Sequence, residues 1–99
     1  MDQFTKELLK AMEEAEKLGC RMVRFRQLVE KHGGVETVKE YLRKNRWSDG
    51  FDLLAEQNRL ELTMEALVVK GKFGALFTDD EVNRCFDRLC GAGYYFSRK

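Results

Sequence analysis

An all-α fold, a single compact domain of about five to six short helices over residues 1–99, is predicted by three observations. Apolar residues recur at three- and four-residue steps along most of the chain, the spacing that builds one stripe on a helix. Proline is absent from all 99 residues, while eight glycines fall mostly between the stripes. Residues able to cap a helix start stand just ahead of several stripes. No segment reads as a convincing strand.

Residues 2–18 form the first predicted helix, with Phe4, Leu8, Met12 (or Ala11), Ala15 and Leu18 on one face and Gly19 placed to release the chain in a left-handed turn. Residues 21–31 form a second, carrying Met22, Phe25, Leu28 and Val29, and ending at a His32-Gly33-Gly34 turn. A third runs from about Val35 to Lys44 with Val35, Val38, Tyr41 and Leu42 inward. Arg43, Lys44 and Arg46 give it a basic end that suits the helix dipole. Ser48 or Asp49 can cap a fourth helix that starts at Gly50 and runs to about Glu56, burying Phe51, Leu54 and Ala55.

Gln57-Asn58-Arg59 reads as a turn, and Leu60 and Leu62, alternating with charge, as a short extended link. Thr63 can cap a helix from Met64 to about Lys70, with Met64, Leu67 and Val68 inward. Gly71 and Gly74 then bracket a loop around Lys72-Phe73. Thr78-Asp79-Asp80-Glu81 fits a capping box, with Phe77 and Val82 spaced as a hydrophobic staple. The last helix carries Val82, Cys85, Phe86 and Leu89 and ends near Gly91-Ala92-Gly93. Tyr94-Tyr95-Phe96 is expected to fold back on the core, and residues 97–99 to fray. The stretch from Trp47 to Val69, densest in large apolar residues, is the expected packing hub.

Composition narrows the function. Eighteen basic against 17 acidic residues give a net charge of +1, so no global field draws the chain to nucleic acid or a membrane surface. The longest apolar run, Ala66 to Val69, is far short of the roughly 20 residues that span a bilayer. The N-terminal MDQFTKELLK has no secretory pattern, and three cysteines at no framework spacing suit a reducing cytoplasm.

Chemistry-bearing motifs are sparse, so an enzyme is not expected, and no metal or cofactor is called for. The single histidine, His32, has no neighbouring nucleophile or orienting acid in the sequence. Cys20, Cys85, Cys90 and His32 lack zinc-ligand spacing. Cys20, beside Arg21, is the best candidate for a reactive thiol. Gly71-Lys72-Phe73-Gly74 lacks the spacing of a phosphate loop, and Asp79-Asp80 complements a helix N-terminus.

Charge is segregated more than the net value shows. Residues 17–46 carry nine basic and three acidic side chains, whereas the first sixteen carry two and five and residues 47–66 carry one and five. Within that window Arg21, Arg24, Arg26, Lys39, Arg43 and Arg46 are the candidate contact residues for a partner. A helix-turn-helix-like unit gripping phosphates is one reading. An acidic protein surface is another, and a solvated face paired internally, as by Glu40 and Lys44 at i,i+4, is the bland one.

The succession GFDLL, RLELTMEALVV, LFTDDEV and the C-terminal GYY resembles a group of small bacterial proteins of uncharacterised function, in the pattern G-F-x-x-L, R-L-x-L-T-x-E-A-L-V, L-F-T and G-Y. The resemblance covers about residues 8–96 and implies a shared fold, in proteins that stand alone or accompany restriction and other nucleic-acid-processing proteins. Its residues (Phe51, Leu54, Leu60, Leu62, Thr63, Phe77 and Thr78) pack and cap, so it carries over no site. Glu65, in the same pattern, either serves its helix dipole or pairs with a buried base such as Arg59. Cys85, Cys90 and Tyr95 depart from the group. The expectation is a non-enzymatic, cytoplasmic protein-interaction module without a cofactor, with DNA or RNA binding through residues 21–46 as the alternative.

Overall fold

The computed structural model describes residues 2–47 and 50–94. Among the described residues six α-helices follow in order: α1 Gln3–Lys17, α2 Val23–His32, α3 Gly34–Arg43, α4 Phe51–Glu56, α5 Met64–Val68 and α6 Asp79–Gly91. Two 3-10 helices, Leu60–Leu62 and Gly71–Leu76, complete the order, and there is no strand among the described residues. The all-α domain is compact, with a radius of gyration of 12.4 Å against about 13 Å for a hundred-residue globule.

Helix α1 starts where the Asp2 carboxylate accepts the Thr5 backbone N–H at 2.8 Å, a bond that holds the Asp2 carboxyl below its ordinary range. It buries Phe4, Leu8, Met12 and Ala15, the predicted stripe, and Gly19 at φ +89° turns the chain out.

The two glycines between α2 and α3 do different work. Gly33 alone links the helices, at φ +88°, a conformation that suits glycine. Gly34 is already helical and lies against α1. A Cβ there would stand 3.0 Å from Thr5 Oγ1 and 3.1 Å from Thr5 Cα. Gly33 has no side chain to cap α3, so the cap comes from α1: Thr5 Oγ1 accepts the Gly34 N–H at 2.8 Å, in a buried bond. The other end of α3 is served by α6, whose Arg84 donates to the Leu42 carbonyl at 3.1 Å. Thr5→Val should therefore lower stability by about 1 kcal/mol, the worth of a cap or a buried hydrogen bond. Urea denaturation reads this directly, and an unchanged midpoint would remove the capping role.

Helix α4 follows Gly50 at φ +78°; the predicted Ser48 and Asp49 cap lies outside the described residues. The expected extended link at Leu60–Leu62 is instead a 3-10 turn. It buries both leucines, Leu62 in the main core cluster and Leu60 in the smaller one, and it shortens the step to Thr63. Thr63 then caps α5 by accepting the Ala66 N–H at 3.2 Å. The expected loop around Phe73 is likewise 3-10, which drives Phe73 edge-on against Phe4 with ring centroids 5.2 Å apart. Phe77 meets the same Phe4 ring at 5.1 Å. At α6 both bonds of the capping box form: Thr78 Oγ1 accepts the Glu81 N–H at 3.1 Å, and Glu81 Oε1 accepts the Thr78 N–H at 2.9 Å.

The core divides in two. The main cluster gathers α1, α2 and α3 with Leu54, Leu62, Met64, Leu67, Val68, Phe73, Phe77 and Cys85. A smaller one joins Phe51, Leu60, Ala66 and Leu89, with Tyr94 packed against it. The stretch 47–69 is thus a hub that feeds both clusters, but its tryptophan is not core: Trp47 is 47% exposed. Phe86 of α6 is also about half exposed. Residues 95 and 96 of the expected aromatic tail lie outside the described residues.

Candidate functional site

The six basic candidates divide by what they touch. Arg24 and Arg26, two residues apart on α2, stand about 200° apart around the helix. Arg26 therefore faces α1, where it meets Glu13 at 3.8 Å and Glu16 at 3.4 Å, and adds Glu30 of its own helix at 3.4 Å. Arg24 faces the other way and is exposed, as is Arg21, and neither has an ion pair among the described residues. Lys31, seven residues from Arg24 and so on the same side of α2, is in the same position.

On α3 the basic residues are engaged. Lys39 lies 2.8 Å from Glu81 Oε1 and 5.2 Å from the centroid of the Phe77 ring. Arg43 and Lys44 both pair with Glu40, at 2.8 and 3.2 Å, so the i,i+4 pair read from the sequence is present with a second cation on the same carboxylate. Arg46 stacks its guanidinium 4.8 Å from the centroid of Tyr41. The candidates do not form one continuous unpaired face. Sequence order places them together, but helix geometry turns them to different neighbours.

The Lys39–Glu81 pair joins α3 to the capping box of α6 through one carboxylate. Partial burial works to raise the Glu81 pKa, but the Lys39 and Thr78 hydrogen bonds outweigh it and hold it below its ordinary value of 4.5. A carboxyl depressed on folding contributes stability that is present above its unfolded pKa and lost as pH falls through the folded one. Lys39→Met should lower stability at pH 7 and flatten the decline below pH 4.5. Urea midpoints from pH 7 to pH 3 test this; an acid decline as steep as in the parent protein would exclude Lys39 as the cause.

A second polar node was not legible as such in the sequence. Glu65 is fully buried and Arg88 is 6% exposed, and Arg88 Nη1 lies 3.0 Å from Glu65 Oε2. The same nitrogen donates to the Arg46 carbonyl at 3.0 Å, and the guanidinium packs 4.8 Å from the Trp47 ring centroid. Arg88 Nη2 has no hydrogen-bond partner among the described residues. The base expected for Glu65 was Arg59, which instead pairs with the nearby Glu61. Two patterns point to the pair in hindsight. Glu65 stands inside the run Met64–Val68, every residue of which is buried, and Arg88 adjoins Leu89, three residues after Cys85, at the edge of the inner stripe.

Two of the three thiols, Cys20 and Cys85, are buried. Burial pushes the Cys85 thiol up to about 12, and the neighbouring Glu65 charge adds to that. Cys20, the sequence candidate for reactivity, is buried, with Sγ 3.8 Å from the Gly50 carbonyl oxygen. Its adjacent Arg21 charge is therefore a neighbour in sequence of a thiol packed beneath α4. No group of three or more His, Cys, Asp or Glu among the described residues is placed to hold a metal ion. No helix among them is long and apolar enough to cross a membrane.

Two surface clefts adjoin these residues. One, of about 380 Å³, runs between α2 and α3 and is lined by Leu28, His32, Glu36, Thr37, Glu40 and Tyr41. The other, of about 570 Å³, is lined by Trp47, Gly50, Phe51, Asp52 and Leu53. Comparison with protein-family models, curated proteins and solved structures returned no match.

Proposed function

We propose that the chain is a non-enzymatic, cytoplasmic protein-interaction module, with the resemblance of its sequence pointing to a bacterial restriction, defence or counter-defence setting, as an inhibitor or accessory subunit. The observation that carries this reading is the internal pairing of its basic window. Arg26, Lys39 and Arg43 each meet a carboxylate of the same chain. Interleaved charge beside half-exposed Trp47 and Leu53 is the surface character of a protein contact, where Trp and Arg are enriched. Affinity purification of the tagged chain from its native host, with crosslinking, should recover one partner in stoichiometric amount. Recovery of the bait alone after crosslinking would sink the reading.

DNA or RNA binding within residues 21–46 is the second reading, supported by the exposed Arg21, Arg24 and Lys31. Three phosphate contacts limit the slope of log K against log salt to about −3 on duplex DNA, well below the steep dependence of proteins that neutralise 6–10 phosphates. A measured slope near −6 would overturn the preference for a protein partner, because the paired lysines and arginines would then have to be released to phosphate.

A further inference from the structure

We propose that the surface where α2 and α4 begin is a two-fold contact between copies of this chain. The occupant is a second copy, in a contact separate from that with a host protein. The segment joining α1 to α2 lies along α4. At the end of α4 the Leu18 carbonyl accepts from Gln57 Nε2 at 3.3 Å, and at its start Cys20 Sγ lies 3.8 Å from the Gly50 carbonyl oxygen. Met22 also adjoins Gly50, with Cε 3.4 Å from where a Cβ would stand. Helices α2 and α4 therefore start at one junction. Five large apolar side chains are exposed among the described residues, and three of them, Val23, Trp47 and Leu53, belong to the segments that meet there. Trp47 and Leu53 line the cleft of about 570 Å³. The indole is braced by the Phe51 ring, 4.7 Å away between centroids, and by the Arg88 guanidinium. An aromatic anchor held in place before contact loses little side-chain freedom on binding.

Charge divides across the same junction. On the α2 side Arg21 and Arg24 are exposed; on the α4 side Asp52 and Glu56, one turn apart, are exposed. None of the four has an ion pair among the described residues, in contrast to Arg26, Arg43 and Lys44. A partner of one sign satisfies only half of this surface. Asp52 and Glu56 repel a phosphate backbone or an acidic segment, and Arg21 and Arg24 repel a basic one. A second copy carries both signs in the same arrangement. A two-fold axis at the junction sets the basic side of each chain on the acidic side of the other, so the pairing occurs twice, with Val23, Trp47 and Leu53 between. Such a contact closes at two copies and leaves no free half to propagate.

Sedimentation equilibrium of the full chain from about 5 to about 500 µM, the range in which small interfaces associate, should show a monomer–dimer equilibrium. The dimer should weaken as salt rises from about 50 to about 500 mM. The basic-side variant (Arg21→Glu, Arg24→Glu) and the acidic-side variant (Asp52→Lys, Glu56→Lys) should each dimerise at least about tenfold more weakly, since each sets like charges face to face twice. Mixed in equal amounts, the two should form a heterodimer as tight as the parent, because both contacts regain opposite charges. A chain that stays monomeric over the whole range overturns the proposal and leaves the host-partner reading standing. A mixture that fails to recover, with both variants keeping the parent circular dichroism, overturns it too. If the acidic-side variant loses its helical signal, Leu53→Ser takes its place. A dimer of parent strength with Leu53→Ser, or with the basic-side variant, then excludes this surface.

Discussion

Arg88→Met is expected to cost about 3–5 kcal/mol of stability, because it breaks a buried ion pair whose carboxylate, Glu65, has no exposure to water. The guanidinium lies 3.0 Å from Glu65 Oε2, and it carries two further contacts, to the Arg46 carbonyl and the Trp47 ring. Removing the arginine thus uncaps a carbonyl and unseats an indole as well as breaking a buried ion pair. The double variant Glu65→Leu, Arg88→Met removes both charges together, and buried ion pairs replaced by apolar residues of similar volume are often neutral. It should recover most of the loss, so that the cycle returns a coupling of about 2–3 kcal/mol. Urea denaturation followed by circular dichroism supplies all four corners of the cycle. An Arg88→Met midpoint within error of the parent would show that Arg88 is not what holds the Glu65 charge in place.

Gly50→Ala should cost about 2–4 kcal/mol, from two separable causes. Gly50 holds φ +78°, where a side chain costs about 1 kcal/mol or more. An added Cβ would also stand 2.2 Å from Cys20 Sγ, an overlap that forces the buried thiol or the start of α4 to move. Cys20→Ala removes the sulfur and leaves the nearest Cys20 atom, its Cβ, at 4.0 Å from the new methyl. The double variant Cys20→Ala, Gly50→Ala should therefore be less destabilised than the sum of the singles by at least about 1 kcal/mol, the relief of overpacking. Strict additivity in thermal or urea denaturation would show that backbone strain is the whole effect.

The helices were readable because their signals are local. Phe4, Leu8, Met12 and Ala15 reveal α1 by spacing alone, and Thr78 and Glu81 announce the start of α6 three residues apart. The two short 3-10 segments were misread for the same reason. Leu60 and Leu62 alternate with charge as a strand would, and nothing within three residues tells a 3-10 turn from an extended step. Trp47 and Phe86 are both about half exposed: a large side chain at the edge of a stripe is buried only if another element covers it.

The candidate site was legible as a list of cations but not as a surface. Arg24 and Arg26 look equivalent in the sequence, and which of them meets α1 depends on how α2 docks. Lys39 reaches Glu81, and Arg84 and Arg88 reach the Leu42 and Arg46 carbonyls, all across 42 residues of chain. Amino-acid order alone therefore determined the helical class, most of the element positions, the capping box and the charge imbalance of residues 17–46. All of these follow from interactions within one or two helical turns. Only the tertiary structure decided that Thr5 caps α3 from another helix, that Glu65 pairs with Arg88, and that Arg24 and Lys31 are left exposed to solvent. Those outcomes depend on which faces meet when the helices pack, and that is set by the whole core at once rather than by any one stretch of sequence.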